Sequence, residues 1–331
     1  MYSLSLIRFI IPIFLVLSLG ACATSNTGLS TAEDTTPRKK IHKNLQKYID
    51  QLYSDDATER AWAIYNIGKA HKKALNTVPY LVAMLGDNDV AVMNRYIGKN
   101  YTLGSTTTPA DEAVRALGKI GQASVKPLLN ALKNSDKAIV LKAIKALGLV
   151  KDSEAIKPLA AFLASDDKRI RLEAANSLSR FRNPWVSEYL LKALKNKDPA
   201  IRSTALYAIG KRKNPVTIPT LLTLFNDPDI NIRLQVLYII SKFRDERVIL
   251  PVLKQLDTEN TDYRIEVITV LGNIRDYRVI EKLIKLLGED NKKVRIAAAE
   301  SLSQIAEVSF GINQAKWKDW WKNKLKRAAK H

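Results

Sequence analysis

One spacing constrains this chain more than any other property: the same pattern returns every 31 residues. The apolar column Leu147, Leu178, Ile209, Ile240, Leu271 and Leu302 keeps that step without a gap. An arginine stands seven residues before each column position from Leu178 onward, giving Arg171, Arg202, Arg233, Arg264 and Arg295. Arg60 holds the same place before Ile67 in an earlier copy. A fixed period of about 20–50 residues marks a chain made of stacked supersecondary units, each unable to bury its apolar face alone.

Each unit carries two amphipathic helices. The second is plainest. Ile156, Leu159, Ala160 and Leu163 stand at i, i+3, i+4 and i+7, which is one face of a helix. The same face returns as Val78–Leu85, Val125–Leu132, Ser187–Leu194, Ile218–Phe225, Ile249–Leu256 and Ile280–Leu287. Strand-like alternation is not sustained anywhere. Asp56, Asp167, Asp198 and Asp229 each precede a column arginine by four residues and suit the N-cap of a first helix. Pro199 suits the first helical position. Gly118, Gly148, Gly210 and Gly272 follow the apolar column and predict the ends of first helices. Asn183-Pro184 and Asn214-Pro215 mark turns inside a pair.

Helix pairs of this length, with Asp, Arg, Ala and Leu in these columns, resemble the HEAT repeat, most closely the short bacterial type of the phycobilin-lyase-related proteins. The resemblance spans about 45–325 and implies an all-α solenoid of stacked helical hairpins. That array takes up 41–331, with a cap helix over 41–53 carrying Leu45, Tyr48, Ile49 and Leu52. The resemblance also implies that Arg60, Arg171, Arg202, Arg233, Arg264 and Arg295 form a structural ladder, each paired with an aspartate of its own or a neighbouring repeat. The competing reading is an anion-binding ladder.

Two segments break the period. Leu85 and Leu117 are 32 residues apart where 15 are expected, so about 17 residues are inserted within 91–111. A long loop in a regular array is often functional. Arg95, Tyr96, Lys99 and Tyr101 make this insertion a candidate binding element; the competing reading is a lengthened helix and inert loop. The second break is 310–331, where Trp317, Trp320 and Trp321 share one helical face. They suit a C-terminal cap over an exposed core, with ligand stacking as the alternative.

Two exposed columns complete the candidates. Lys192, Lys254 and Lys285 fall opposite the apolar stripe of their second helices. They could meet an acidic partner or form a solvated face. Tyr207 and Tyr238 share a first-helix column, either as a binding patch or as packing between repeats.

Chemistry is sparse. The chain has three histidines and one cysteine, so an intrachain disulfide and a Cys-based zinc site are excluded. The repeated His-Glu pairs of HEAT-like di-iron hydroxylases are missing, as are a P-loop and a GxSxG nucleophile. No catalytic residue, metal or cofactor is expected.

The N-terminus reads as an address. Arg8 precedes an apolar run from Phe9 to Leu19, too short for a bilayer span of about 20 residues but suited to a secretory signal. Leu19-Gly20-Ala21-Cys22 resembles a bacterial lipobox. That resemblance implies a signal peptide over 1–21, acyl chains such as palmitate on Cys22, and a flexible tether through residue 40. Ala23 in place of Asp implies, in a Gram-negative cell, the outer membrane facing the periplasm.

With 53 Lys and Arg against 33 Asp and Glu, the net charge is +20. Such an excess attracts anionic partners. An exported chain does not meet nucleic acid, so none is expected. The sequence therefore predicts a non-catalytic envelope lipoprotein that scaffolds envelope proteins. Docking on an anionic lipid or glycan through the Lys column and basic tail is the alternative.

Overall fold

The computed structural model describes residues 41–97, 100–243 and 245–328. The predicted signal peptide, Cys22 and tether lie outside them. The described chain divides between Val186 and Ser187 into two compact units. The first contains α1 Lys43–Gln51, α2 Ala57–Lys69, α3 Val78–Ala83, strands β1 Ala91–Ile97 and β2 Asn100–Thr107, α4 Pro109–Ile120, α5 Val125–Ala131, α6 Lys137–Val150, α7 Ile156–Ala161 and α8 Lys168–Ser179. Helix α9, Trp185–Ala193, leads into the second, which holds α10 Pro199–Arg212, α11 Ile218–Thr223, α12 Ile230–Ile240, α13 Ile249–Lys254, α14 Thr261–Ile274, α15 Ile280–Leu286, α16 Lys292–Ala306 and α17 Gln314–Ala328. Long first helices pack side by side, α2–α4–α6–α8 in one unit and α10–α12–α14–α16 in the other, with the short second helices against them. This is the α-solenoid expected from the period. No described helix is long and apolar enough to cross a membrane.

The second-helix stripes form the core. Their first, second and fourth positions are buried in every copy, from Val78, Leu81 and Leu85 to Ile280, Leu283 and Leu287. The third is half-buried at Leu129, Ala160, Leu191, Leu222 and Leu253 but buried at Ile284. There the closing helix α17 lies over it, and Gln314 Nε2 donates to the Ile284 carbonyl at 2.8 Å.

First helices begin as the caps predict. Asp56, Asp167, Asp198 and Asp229 accept from the amides of Thr58, Arg169, Ala200 and Asn231, and Asp136, not read from the sequence, does the same for Ala138. Each such cap contributes about 1 kcal/mol.

The glycines fall near the helix ends as expected, but they do not cap them. Gly118, Gly148, Gly210 and Gly272 lie inside their helices, two residues before the ends. The left-handed C-caps are Lys151, Lys213 and Arg275, with φ of 61°, 47° and 56°. The glycines serve close approach instead. A Cβ on Gly148 or on Gly272 would stand 2.9 Å from the Cα of Ser177 or of Ser301. Those serines bind across the gap, Ser177 Oγ to the Ile144 carbonyl at 3.1 Å and Ser301 Oγ to that of Ile268 at 2.9 Å.

At the 31-residue step the column reads Gly148, Ser179, Gly210, Ser241, Gly272 and Ser303. Ser179 and Ser241 stand at the ends of helices of 12 and 11 residues, whereas Ser303 lies inside a helix of 15. Each hydroxyl donates to a carbonyl three or four residues back, Ser179 to Asn176 at 2.6 Å, Ser241 to Tyr238 at 2.8 Å and Ser303 to Ala299 at 2.8 Å.

Gly272→Ala should therefore destabilise the chain despite alanine's helix preference. The preference gains about 1 kcal/mol, whereas overpacking against a backbone costs about 1–3 kcal/mol. Gly210→Ala meets only the Ile239 side chain, at 3.1 Å, and should be milder. Equal urea midpoints for the two variants would refute this account.

The insertion is not a loop or a lengthened helix. It folds as an antiparallel hairpin, with register from Ala91↔Thr107 to Ile97↔Asn100 and an irregularity between Met93 and Arg95. Ala91 and Met93 bury one face against Ala61 of α2, beside Ala57, Trp62 and Tyr65. Val92 points outward. The inward Ala91 and Met93 and the outward Val92 are all apolar, so the sequence shows no alternation at this base.

Candidate interaction surface

The arginine ladder is engaged with the chain itself. Nη1 of Arg60, Arg171, Arg202, Arg233 and Arg295 donates to the carbonyls six and five residues earlier, with Ser165 at 2.7 Å from Arg171 and Asn196 at 2.9 Å from Arg202. These carbonyls belong to the loop entering each first helix, so the guanidinium staples that loop. The N-cap aspartates bind backbone amides rather than these arginines.

Acidic partners come from further along the chain. Nε and Nη2 of Arg202 hold Asp227 at 2.8 and 2.7 Å, with both side chains buried. Arg60 holds Asp87 and Asp89. Arg264 grips Glu289 through both terminal nitrogens. Burial opposes the charge on Arg60, but Asp87 and Asp89 outweigh it and hold its pKa above the usual value. Arg233 instead lies 5.4 Å over the ring of Tyr263, whose pKa burial pushes up to about 12.

Beside the hairpin, Glu112 is 1% exposed and takes hydrogen bonds from Arg115 and Thr107. Next to it, Asp111 pairs with Lys142 at 3.0 Å and Lys145 at 3.2 Å. Burial raises this carboxyl's pKa, yet the two lysines hold it below the ordinary range. Of the insertion candidates, Lys99 lies outside the described residues. For Arg95, Tyr96 and Tyr101 only the backbone is described, in β1 and β2.

The second unit holds the remaining candidates on separate helices. Lys192, Lys254 and Lys285 are exposed on α9, α13 and α15, with no ion-pair partner among the described residues. Tyr207 and Tyr238 sit on α10 and α12, which pack against each other. They are 44% and 64% exposed. Each carries a lysine four residues on: Lys211 Nζ lies 5.2 Å from the Tyr207 ring centre, and Lys242 Nζ 4.4 Å from that of Tyr238. Between the same helices, Gln235 Nε2 donates to Ser203 Oγ at 2.8 Å. The result is a repeated tyrosine–lysine pair on one face. Sequence reasoning missed Lys211 and Lys242, although a Tyr-x-x-x-Lys pattern recurs there at the 31-residue step.

The tryptophans close the array. Trp317 is fully buried, its Nε1 donating to the Gly311 carbonyl at 2.8 Å. It meets Phe310 and Trp320 edge-on at 4.9 and 5.7 Å. Trp321 stacks on Tyr277 and donates to Glu281 at 3.2 Å.

A HEAT-repeat family model matches residues 107–179, 159–238, 187–258 and 249–310, more than half of the chain. The chain belongs to the HEAT-repeat family. No curated protein matches it. Among solved structures, this HEAT-repeat protein is similar to YibA of E. coli at 18% identity and a TM-score of 0.43, over 78% of this chain and 96% of that one. An engineered protein gives 19% and 0.40, over 80% and 79%. The CpcE–CpcF complex of phycocyanin lyase from Nostoc sp. PCC7120 gives 20% and 0.38, over 50% and 98%.

Proposed function

We propose that this HEAT-repeat chain is a non-catalytic, lipid-anchored envelope protein that scaffolds other proteins, docking them on the first-helix face of its second unit. The observation that carries the docking face is the repeated pair Tyr207–Lys211 and Tyr238–Lys242. Exposed aromatics are costly in water and are favoured at interfaces, where a rigid ring buries much area for little lost entropy. Two such rings on neighbouring packed helices, separated by about 8–10 Å, offer paired anchors. A cation over each ring adds attraction for an acidic partner segment. The envelope address rests on the apolar run to Leu19 and on Cys22, and Ala23 favours, in a Gram-negative cell, the outer membrane facing the periplasm.

Crosslinked pull-down from envelopes tests the scaffold. Wild type should enrich a protein that Tyr207→Ala/Tyr238→Ala loses at unchanged thermal stability. Failure to enrich any protein, or equal enrichment by both, would sink the reading. Fatty-acid labelling that does not depend on Cys22, judged with Cys22→Ser, would remove the anchor.

A further inference from the structure

The closing helix α17 carries more positive charge than a cap requires. It holds five lysines and one arginine against a single acid, Asp319. Its packed side is already defined: Trp317 is buried, Trp321 lies on Tyr277, and Lys324 Nζ stands 5.5 Å over the same tyrosine ring. The outer side has no such use. Lys318, Lys322 and Lys326 follow one another at i, i+4 and i+8, all exposed and without an ion-pair partner among the described residues.

This row works against the helix. Like charges at i, i+4 repel, and Lys318 opposes the helix dipole near the N-terminal end, where no acid stands in the first turn, although Lys326 in the last turn suits it. An external negative charge turns the repulsion along the row into attraction. Leu325 lies on the same side, three residues after Lys322 and seven after Lys318, and is 46% exposed. An apolar side chain set among lysines matches the boundary of a lipid bilayer, where ammonium groups meet phosphates and a short apolar tip enters the headgroup layer. A soluble polyanion has no use for that tip.

We infer that α17 is a docking surface for an anionic lipid bilayer, with Lys318, Lys322 and Lys326 as its contact row and Leu325 as its apolar tip. It engages a membrane independently of any acyl chain on Cys22 and of any protein held on the tyrosine face. In the envelope this would lay the C-terminal end of the array on the membrane.

The chain's single cysteine makes the test specific. The full chain carrying Cys22→Ser and Leu325→Cys is labelled with an environment-sensitive fluorophore at position 325. It is titrated with vesicles of phosphatidylcholine, with or without phosphatidylglycerol. The N-terminal apolar run is the same in every arm, so differences report α17. The label should shift blue on anionic vesicles only. The shift should vanish when salt rises to about 1 M, where the screening length falls to about 3 Å. Lys318→Glu/Lys322→Glu/Lys326→Glu should weaken the response at least about a hundredfold, with roughly a factor of five for each lysine near an anionic surface. Unchanged circular dichroism of that variant shows that α17 is still folded; Lys318→Gln/Lys322→Gln/Lys326→Gln serves if it is not. An equal shift on neutral vesicles, a shift that survives these substitutions, or the same shift with soluble polyphosphate would each overturn the inference.

Discussion

Arg202→Ala should cost about 3–5 kcal/mol of stability, because it strands Asp227 as a buried carboxylate without its partner. Asp227 is 7% exposed and receives two of the guanidinium's hydrogen bonds. The substitution also frees the carbonyls of Asn196 and Lys197, which close the loop before α10. Urea denaturation of both variants and wild type reads the effect. Arg171→Ala should cost less. That arginine binds two carbonyls but no acid in the described chain, and its Nε is buried without a hydrogen-bond partner. Arg202→Met/Asp227→Leu should recover most of the loss, since an apolar pair of similar volume replaces a buried ion pair at little cost. An Arg202→Ala midpoint equal to wild type would show that the ladder does not hold the repeats.

Trp317→Ala should be as damaging, at about 3–5 kcal/mol for a buried aromatic removed to the β-carbon. The loss should be concentrated at the end of the array. Trp317 joins Phe310, Trp320 and the Gly311 carbonyl, and α17 covers Ile284 through Gln314. Hydrogen exchange should therefore accelerate in α15 and α17, while α10 and α12 keep their protection. Were Trp317 a ligand-stacking residue alone, the protection of α15 and α17 would stay at the wild-type level. The buried ring of Trp317 fits the cap reading, while Trp320 and Trp321 are half-buried.

Much of the fold was legible because it is local. The i, i+3, i+4, i+7 stripe of each second helix lies within two turns, and the buried positions follow it from Val78 to Leu287. Aspartate caps act over two residues and were equally readable. The glycine column marks the helix ends, but the reason for glycine there lies in another helix. A glycine near a helix end suits both a C-cap and a close crossing, and only Ser177 and Ser301 across the gap distinguish them. The hairpin was missed because the inward Ala91 and Met93 and the outward Val92 are all apolar, so the sequence shows no period of two there. Of the candidate site, the tyrosines were found by their exposed column. Lys211 and Lys242 were not, since a lysine four residues on acquires meaning only when its ammonium is seen over the ring.

By itself, the sequence determined the period and phase of the helical pairs. Burying an apolar stripe every 31 residues leaves stacking as the only way to remove those surfaces from water. The tertiary structure alone decided which pairs across repeats carry the load. Arg202 meets Asp227 25 residues on, and Gly148 meets Ser177 29 residues on. Those encounters depend on the distance and rotation between packed helices, which side-chain volume and backbone approach set jointly and no local pattern records.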